Sequence, residues 1–119
     1  MFVNLTPHEI MVEVEVEDCP SEFRILPIPP NPQGPARVTA IEDVVGLADS
    51  GGYTVTVSRH TFGQVENLPE PQKGTIFIVS GMVRDALDGR PDVLAPDTGK
   101  TAVRNQKGQV EYVTRLRTK

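Results

Sequence analysis

Tryptophan is absent from this chain of 119 residues and aromatics amount to only 5%. A hydrophobic core therefore has to be built mainly from Val, Ile and Leu. Cysteine is almost absent as well: Cys19 stands alone, which excludes an internal disulfide and points to a reducing, cytosolic setting. His8 and His60 are the only histidines. One cysteine and two distant histidines are too few for a zinc site, so no metal is expected. No stretch approaches the ~18 apolar residues that a membrane helix needs. The opening Met1-Phe2-Val3-Asn4-Leu5-Thr6-Pro7 has no basic region, apolar run or small-residue cleavage site, so neither a secretory signal nor a membrane partner is expected.

What is plentiful is proline and glycine, 11 and 10 residues, which predicts short strands and many turns. The length suits one domain over 1–119. The net charge of −4 hides an asymmetry. Residues 1–70 carry three bases, Arg24, Arg37 and Arg59, against many acids, whereas Lys100, Arg104, Lys107, Arg115, Arg117 and Lys119 face only Glu111 in the last 20 residues. Two readings are open: the basic end grips an anion, or it pairs with the acidic strand of residues 10–17.

Alternation is the clearest structural signal. Ile10, Val12, Val14 and Val16 alternate with Met11, Glu13, Glu15 and Glu17, the period of a half-buried strand. Phe23–Leu26 reads as its returning partner. The following Pro-rich stretch, residues 27–35, has lost five backbone donors and must be an extended connection or an edge segment. Arg37–Ala40 reads as a short strand, and Glu42–Val45 is open between helical turn and strand. After the turn at Gly51-Gly52 comes a second alternating strand, 53–60, with Tyr53, Val55 and Val57 as its expected inward face. Thr6-Pro7-His8-Glu9 has the form of a capping box, but no helical periodicity follows, which predicts a tight turn.

Thr75-Ile76-Phe77-Ile78-Val79 is continuously apolar, as in a strand covered on both faces. Ser80 as N-cap, Met82, Val83, Ala86 and Leu87 at helical spacing, and Gly89 as C-cap predict a short helix over about 80–88. Val103–Asn105, the turn Gln106-Lys107-Gly108 and the run 109–116 predict a C-terminal hairpin, in which Glu111, Val113, Arg115 and Arg117 share one face. The fold class expected is α+β: a compact, mostly β, mixed or antiparallel sheet with one short helix.

Several chemistries fail on spacing. Gly99-Lys100-Thr101 imitates the end of a phosphate-binding loop, but that motif needs glycine at position 94, which is Leu, and a helix after it, where a strand is predicted. Nucleophilic catalysis needs a nucleophile beside a base; Cys19 lies between Asp18 and Pro20 in an acidic turn, which blunts a thiol. Asp85, Asp88, Asp92 and Asp97 lack the spacing of a calcium loop. Nothing sets Asp92 and Asp97 at a catalytic separation, so an enzyme is the minor expectation. Anion binding remains. Arg104, Arg115 and Arg117 supply forked donors, Lys100 a further charge, Asp97 and Thr98 a polar loop, and Tyr112 an aromatic face. An acidic chain is a poor ligand for duplex nucleic acid; a small anionic, nucleotide-like ligand suits it better.

Asn4-Leu5-Thr6-Pro7-His8, Phe77-Ile78-Val79-Ser80, Gly89-Arg90-Pro91-Asp92 and the closing Val103-Arg104-Asn105 with Gly108-Gln109-Val110 resemble a family of small phage, prophage and bacterial proteins without an assigned activity. The resemblance implies a phage accessory protein and transfers no catalytic residue or cofactor. The expectation is a non-enzymatic, homo-oligomeric binding protein, a sponge that sequesters a nucleotide-like signal in phage counter-defence. The alternative is a protein–protein interaction module that inhibits a host protein or joins a phage assembly.

Overall fold

A computed structural model describes the whole chain, Met1 to Lys119. Its centre is a four-stranded sheet in the order β1 (Phe2–Asn4), β6 (Ile76–Ile78), β7 (Val93–Pro96), β10 (Leu116–Arg117). β1 and β7 run parallel to β6, and β10 is antiparallel to β7. The parallel partners Phe2 and Ile76 are far apart in sequence, so the central sheet closes around everything between them.

The apolar run of β6 is buried on both sides, as its pattern predicts. Phe77 and Val79 pack with Leu5, Ala36, Val83 and Val93 on one side of the sheet. Ile78 packs with Val12, Ile28 and Val113 on the other. The first side is covered by the helix α1 (Gly81–Asp85) and by segments around Val38 and Leu68. The second is covered by the antiparallel hairpin of β2 (Ile10–Glu15) and β3 (Phe23–Ile28). The returning strand expected at Phe23–Leu26 is present and runs on through Pro27. Proline is tolerated there because β3 pairs with β2 alone, leaving its other edge free of ladder bonds.

α1 is shorter than the residues 80–88 expected. Ser80 is its N-cap, with Oγ accepting from Val83 N at 3.3 Å, but the C-cap is Ala86 and not Gly89. The reason is Arg84, which lies 3% exposed. Its Nη1 donates to the carbonyls of Arg90 and Val93 (2.9 and 2.6 Å), and its Nη2 to that of Leu87 (3.0 Å). These bonds draw the chain after Ala86 out of the helical path and back toward β7, while Gly89 (φ 70°) takes the left-handed turn.

The N-terminal turn is also built differently from a capping box. Asn4, 1% exposed, organises it: Oδ1 accepts from the amide and hydroxyl of Thr6, and Nδ2 donates to the carbonyls of His8 and Ile28. The Thr6 hydroxyl is spent inside this network and caps nothing.

The largest departure lies between residues 40 and 62. β4 (Ala40–Ser50) and β5 (Tyr53–Phe62) form one long antiparallel hairpin. The short strand expected at Arg37–Ala40 is not formed: only Ala40 joins β4, and Arg37 makes an isolated bridge with Glu66. Glu42–Val45 is strand, within β4. Every residue of the hairpin is solvent-exposed. Tyr53, Val55 and Val57, expected to face inward, are 80%, 62% and 39% exposed. The alternation of β5 is real, but no layer covers the face it creates. This hairpin is an arm, joined to the body where Gly63 N donates to Thr39 O at 2.7 Å. It stretches the molecule to 64 × 37 × 23 Å.

Candidate functional site

β7 ends at Pro96 and the chain enters the polar loop of residues 97–101. Asp97 Oδ1 accepts from Gly99 N at 3.1 Å, so its carboxylate shapes the turn. The next strand, β8 (Val103–Arg104), pairs with β9 (Val110–Tyr112) as expected, around the turn at Gly108. Arg104 Nη2 donates to the Thr98 carbonyl at 2.7 Å and Nη1 to that of Gly108 at 2.9 Å. The guanidinium therefore clamps the loop to the hairpin turn. Asp97, Thr98 and Arg104 do come together, and Tyr112 lies across the ladder from Val103.

The predicted cluster nevertheless divides. The C-terminal run is not one strand: β9 stops at Tyr112, Val113 is buried against Val12, and the chain bends before β10. The common face expected for Glu111, Val113, Arg115 and Arg117 is lost at that bend. Arg117 turns to the helix, where its guanidinium meets Asp85 at 3.0 Å. The Asp85 carboxyl is held below its ordinary range by the hydrogen bond from Arg117, and the same bond raises Arg117. The guanidinium passes close to Gly81, where a β-carbon would fall 2.7 Å from Arg117 Nη2 and would push that side chain aside. Arg115 is exposed, and its carbonyl accepts from Asp97 N at 3.0 Å. Lys100 is exposed at the loop tip. Four ion pairs join Arg24 to Glu22, Arg90 to Asp92, Arg117 to Asp85 and Lys119 to Asp88. None links the acids of β2 to the basic end, although Glu13 N donates to the Val113 carbonyl at 2.8 Å.

An open groove of about 480 Å³ lies beside this loop. Ile10, Met11 and Val110 form apolar walls, with His8, Thr98 and Tyr112 at its polar positions. Its size falls within the ~300–1,000 Å³ common for small-molecule sites. Its charge does not favour a phosphate, because Glu9 and Glu111 also line it, and carboxylates repel anions at close range. Of the seven residues singled out by sequence, Thr98 and Tyr112 line this groove, Asp97 and Arg104 brace the loop beside it, Lys100 and Arg115 face solvent, and Arg117 is tied to α1.

Sequence reasoning missed the arm as an exposed surface. Cross-strand partners share a face in an antiparallel pair, so Tyr53, Val55 and Val57 lie on the same side as Ser50, Ala48 and Gly46. Those small partners leave the larger side chains uncovered. Val44 and Leu47, 70% and 69% exposed, belong to the other face, opposite Ser58 and Thr56. The ladder shifts by one residue between Val44 and Gly46, close to the middle of β4. The signal available in the sequence was the two long runs around Gly51-Gly52; their length, beyond what the small core can cover, is what marks an arm. In comparisons with known proteins, no family model, no curated protein and no solved structure matches the chain.

Proposed function

We propose that the protein is a non-enzymatic binding protein that works as a protein–protein interaction module, with the β4–β5 arm as its working part. One observation carries the reading: a hairpin of 11 and 10 residues is exposed throughout while presenting Val44, Leu47, Tyr53 and Val55. A two-stranded hairpin is marginal on its own in water, and large exposed apolar surfaces mark contact sites. The role that fits is joining an assembly or capping another protein, as a phage accessory protein would. The test places a photo-crosslinking residue at Tyr53 and, as a reference, at exposed Lys73 on the body. Adducts to a protein chain from position 53 and none from 73 are expected. The same adducts from both positions, or none from position 53, would overturn the reading.

A second reading, sequestration of a small nucleotide-like anion, draws on the groove that brings Tyr112 and Thr98 together. Exposed Lys100 and Arg115 would supply the charge. A ligand that binds only the folded state raises the melting temperature. Under this reading a nucleotide panel shifts the melting point of the wild type and shifts that of Arg115→Ala less; equal curves with and without every nucleotide remove it.

A further inference from the structure

The groove beside Thr98 lies between β2 and β9, and fixed backbone frames it. Val113 N donates to the Met11 carbonyl at 2.9 Å and Glu13 N to the Val113 carbonyl at 2.8 Å, so the end of β9 is tied to β2. The turn leading into β2 is held by buried Asn4, whose Nδ2 donates to the His8 carbonyl at 2.8 Å. Glu9 follows directly. On the other wall the ladder of β8 and β9 carries a bulge: Val103 pairs with Tyr112 and Arg104 with Val110, which leaves Glu111 as the extra residue. A bulge suspends strict alternation and re-aims a side chain. Glu111 accordingly lines the same groove as its neighbours Val110 and Tyr112.

The charge of the groove has one sign. Glu9 and Glu111 line it, and no Lys or Arg does. Neither glutamate belongs to any of the four ion pairs of the chain. Arg104 spends its guanidinium on the Thr98 and Gly108 carbonyls and pairs with neither of them. Ile10, Met11 and Val110 supply apolar wall, and Tyr112 adds a ring. Two free carboxylates beside such walls suit a cation carried on an apolar stem. The positive group meets the carboxylates, the stem covers the walls, and an aromatic ring attracts cations further. We propose that this groove is a binding site for a small organic amine, an ammonium group on an aliphatic or aromatic stem, gripped by Glu9 and Glu111 over Ile10, Met11, Val110 and Tyr112. Its volume of about 480 Å³ holds a molecule of that class. The site is separate from the arm and does not rest on the interaction-module reading. Its ligand has the opposite charge to that of the sequestration reading, so the two compete for one groove.

The test is a two-dimensional amide NMR titration of the full chain at about pH 7.5, which keeps ordinary imidazoles neutral. The probes are hexylammonium, its isosteric anion hexanoate, and adenosine monophosphate. Hexylammonium is expected to shift the amides of Ile10, Met11 and residues 110–113 saturably, and to bind at least about threefold more tightly than either anion. Glu9→Gln and Glu111→Gln are each expected to raise its dissociation constant about threefold, the scale of one exposed charge pair. Both side chains are exposed, so the rest of the spectrum should stay as in the wild type. No saturable shift with hexylammonium, equal affinity for hexanoate, or a dissociation constant unchanged in the double variant Glu9→Gln/Glu111→Gln would each overturn the proposal. Tighter binding of adenosine monophosphate at the same amides would overturn it in favour of sequestration. None of these outcomes touches the arm, whose crosslinking at Tyr53 is read separately.

Discussion

Asn4 and Arg84 show how much one buried polar side chain decides in a core this small. Each is nearly inaccessible and spends hydrogen bonds on carbonyls outside its own element: Asn4 ties β1 to the turn at His8 and to Ile28, and Arg84 ties α1 to the turn after it and to β7. Removing either leaves buried acceptors unpaired, which costs more than the bond itself yields. Arg90 and Asp92 make the same point with charge. Arg90 Nε and Nη2 meet the two Asp92 oxygens at 3.0 Å each, and both side chains are 18% exposed. The hydrogen bond from Arg90 lowers the Asp92 carboxyl below its usual value, against the opposing effect of burial. A carboxyl whose folded pKa is depressed stabilises the protein above its unfolded pKa, near 3.9, and loses that contribution as pH falls through the folded value. Asp92→Asn is therefore expected to cost about 1 kcal/mol at pH 7. The difference from wild type should close as pH falls from about 4 through the lowered folded value of Asp92, as followed by denaturant unfolding at descending pH. A gap unchanged below that value would mean that packing and not charge sets it.

At the scale of elements, the arm is held by its turn and not by a core. Gly51 and Gly52 have φ of 58° and 84°, the pair of positive values that a two-residue hairpin turn requires. A β-carbon at either position meets no other atom, so the cost of adding one is conformational and amounts to about 1 kcal/mol. Gly52→Val, where the side chain is branched as well, is expected to fray the arm while the thermal unfolding of the body stays within about 1 °C. Amide exchange separates the two: faster exchange confined to residues 40–62 is the expected pattern. Faster exchange in β6 as well would show that arm and body unfold together. The helix obeys a different logic. Five residues are too few to persist alone, and α1 exists because Val83 is buried against the sheet and Arg84 is held by three carbonyls.

For the molecule as a whole, extension is the informative quantity. A compact chain of this length has a radius of gyration of about 13–14 Å, whereas this one has 18.3 Å. The excess belongs to the arm. Replacing residues 41–61 by an Asn-Gly turn should leave a folded body with a radius of gyration of about 13 Å in solution scattering. An aggregated or unfolded product would show that the arm is needed to form the body and not only to reach from it.

Much of the central fold was legible in order along the chain. Alternation in β2, the continuous apolar run of β6, the Ser80 cap and the glycine turns each act over a few residues, and local sterics and burial settle them without help from afar. Phe23–Leu26 and the hairpin of β8 and β9 were visible for the same reason, whereas the extension of β3 through Pro27 and Ile28 was not. What a single pass could not supply was which surface covers which. The alternation of Tyr53, Val55 and Val57 states that one face is apolar and is silent on whether a layer exists to bury it. That is decided by how many strands the core can cover, and this core stops at the central sheet and its two coats. The basic cluster was likewise a sum over sequence, and the bend after Val113 divided it: Arg117 went to Asp85, Arg104 to the Thr98 and Gly108 carbonyls, and Arg115 to solvent. Local pattern determines the elements because their hydrogen bonds and periodicities are local. Partnership between elements rests on shape and charge brought together across tens of residues, so only the tertiary structure decided where this protein has a free face to offer.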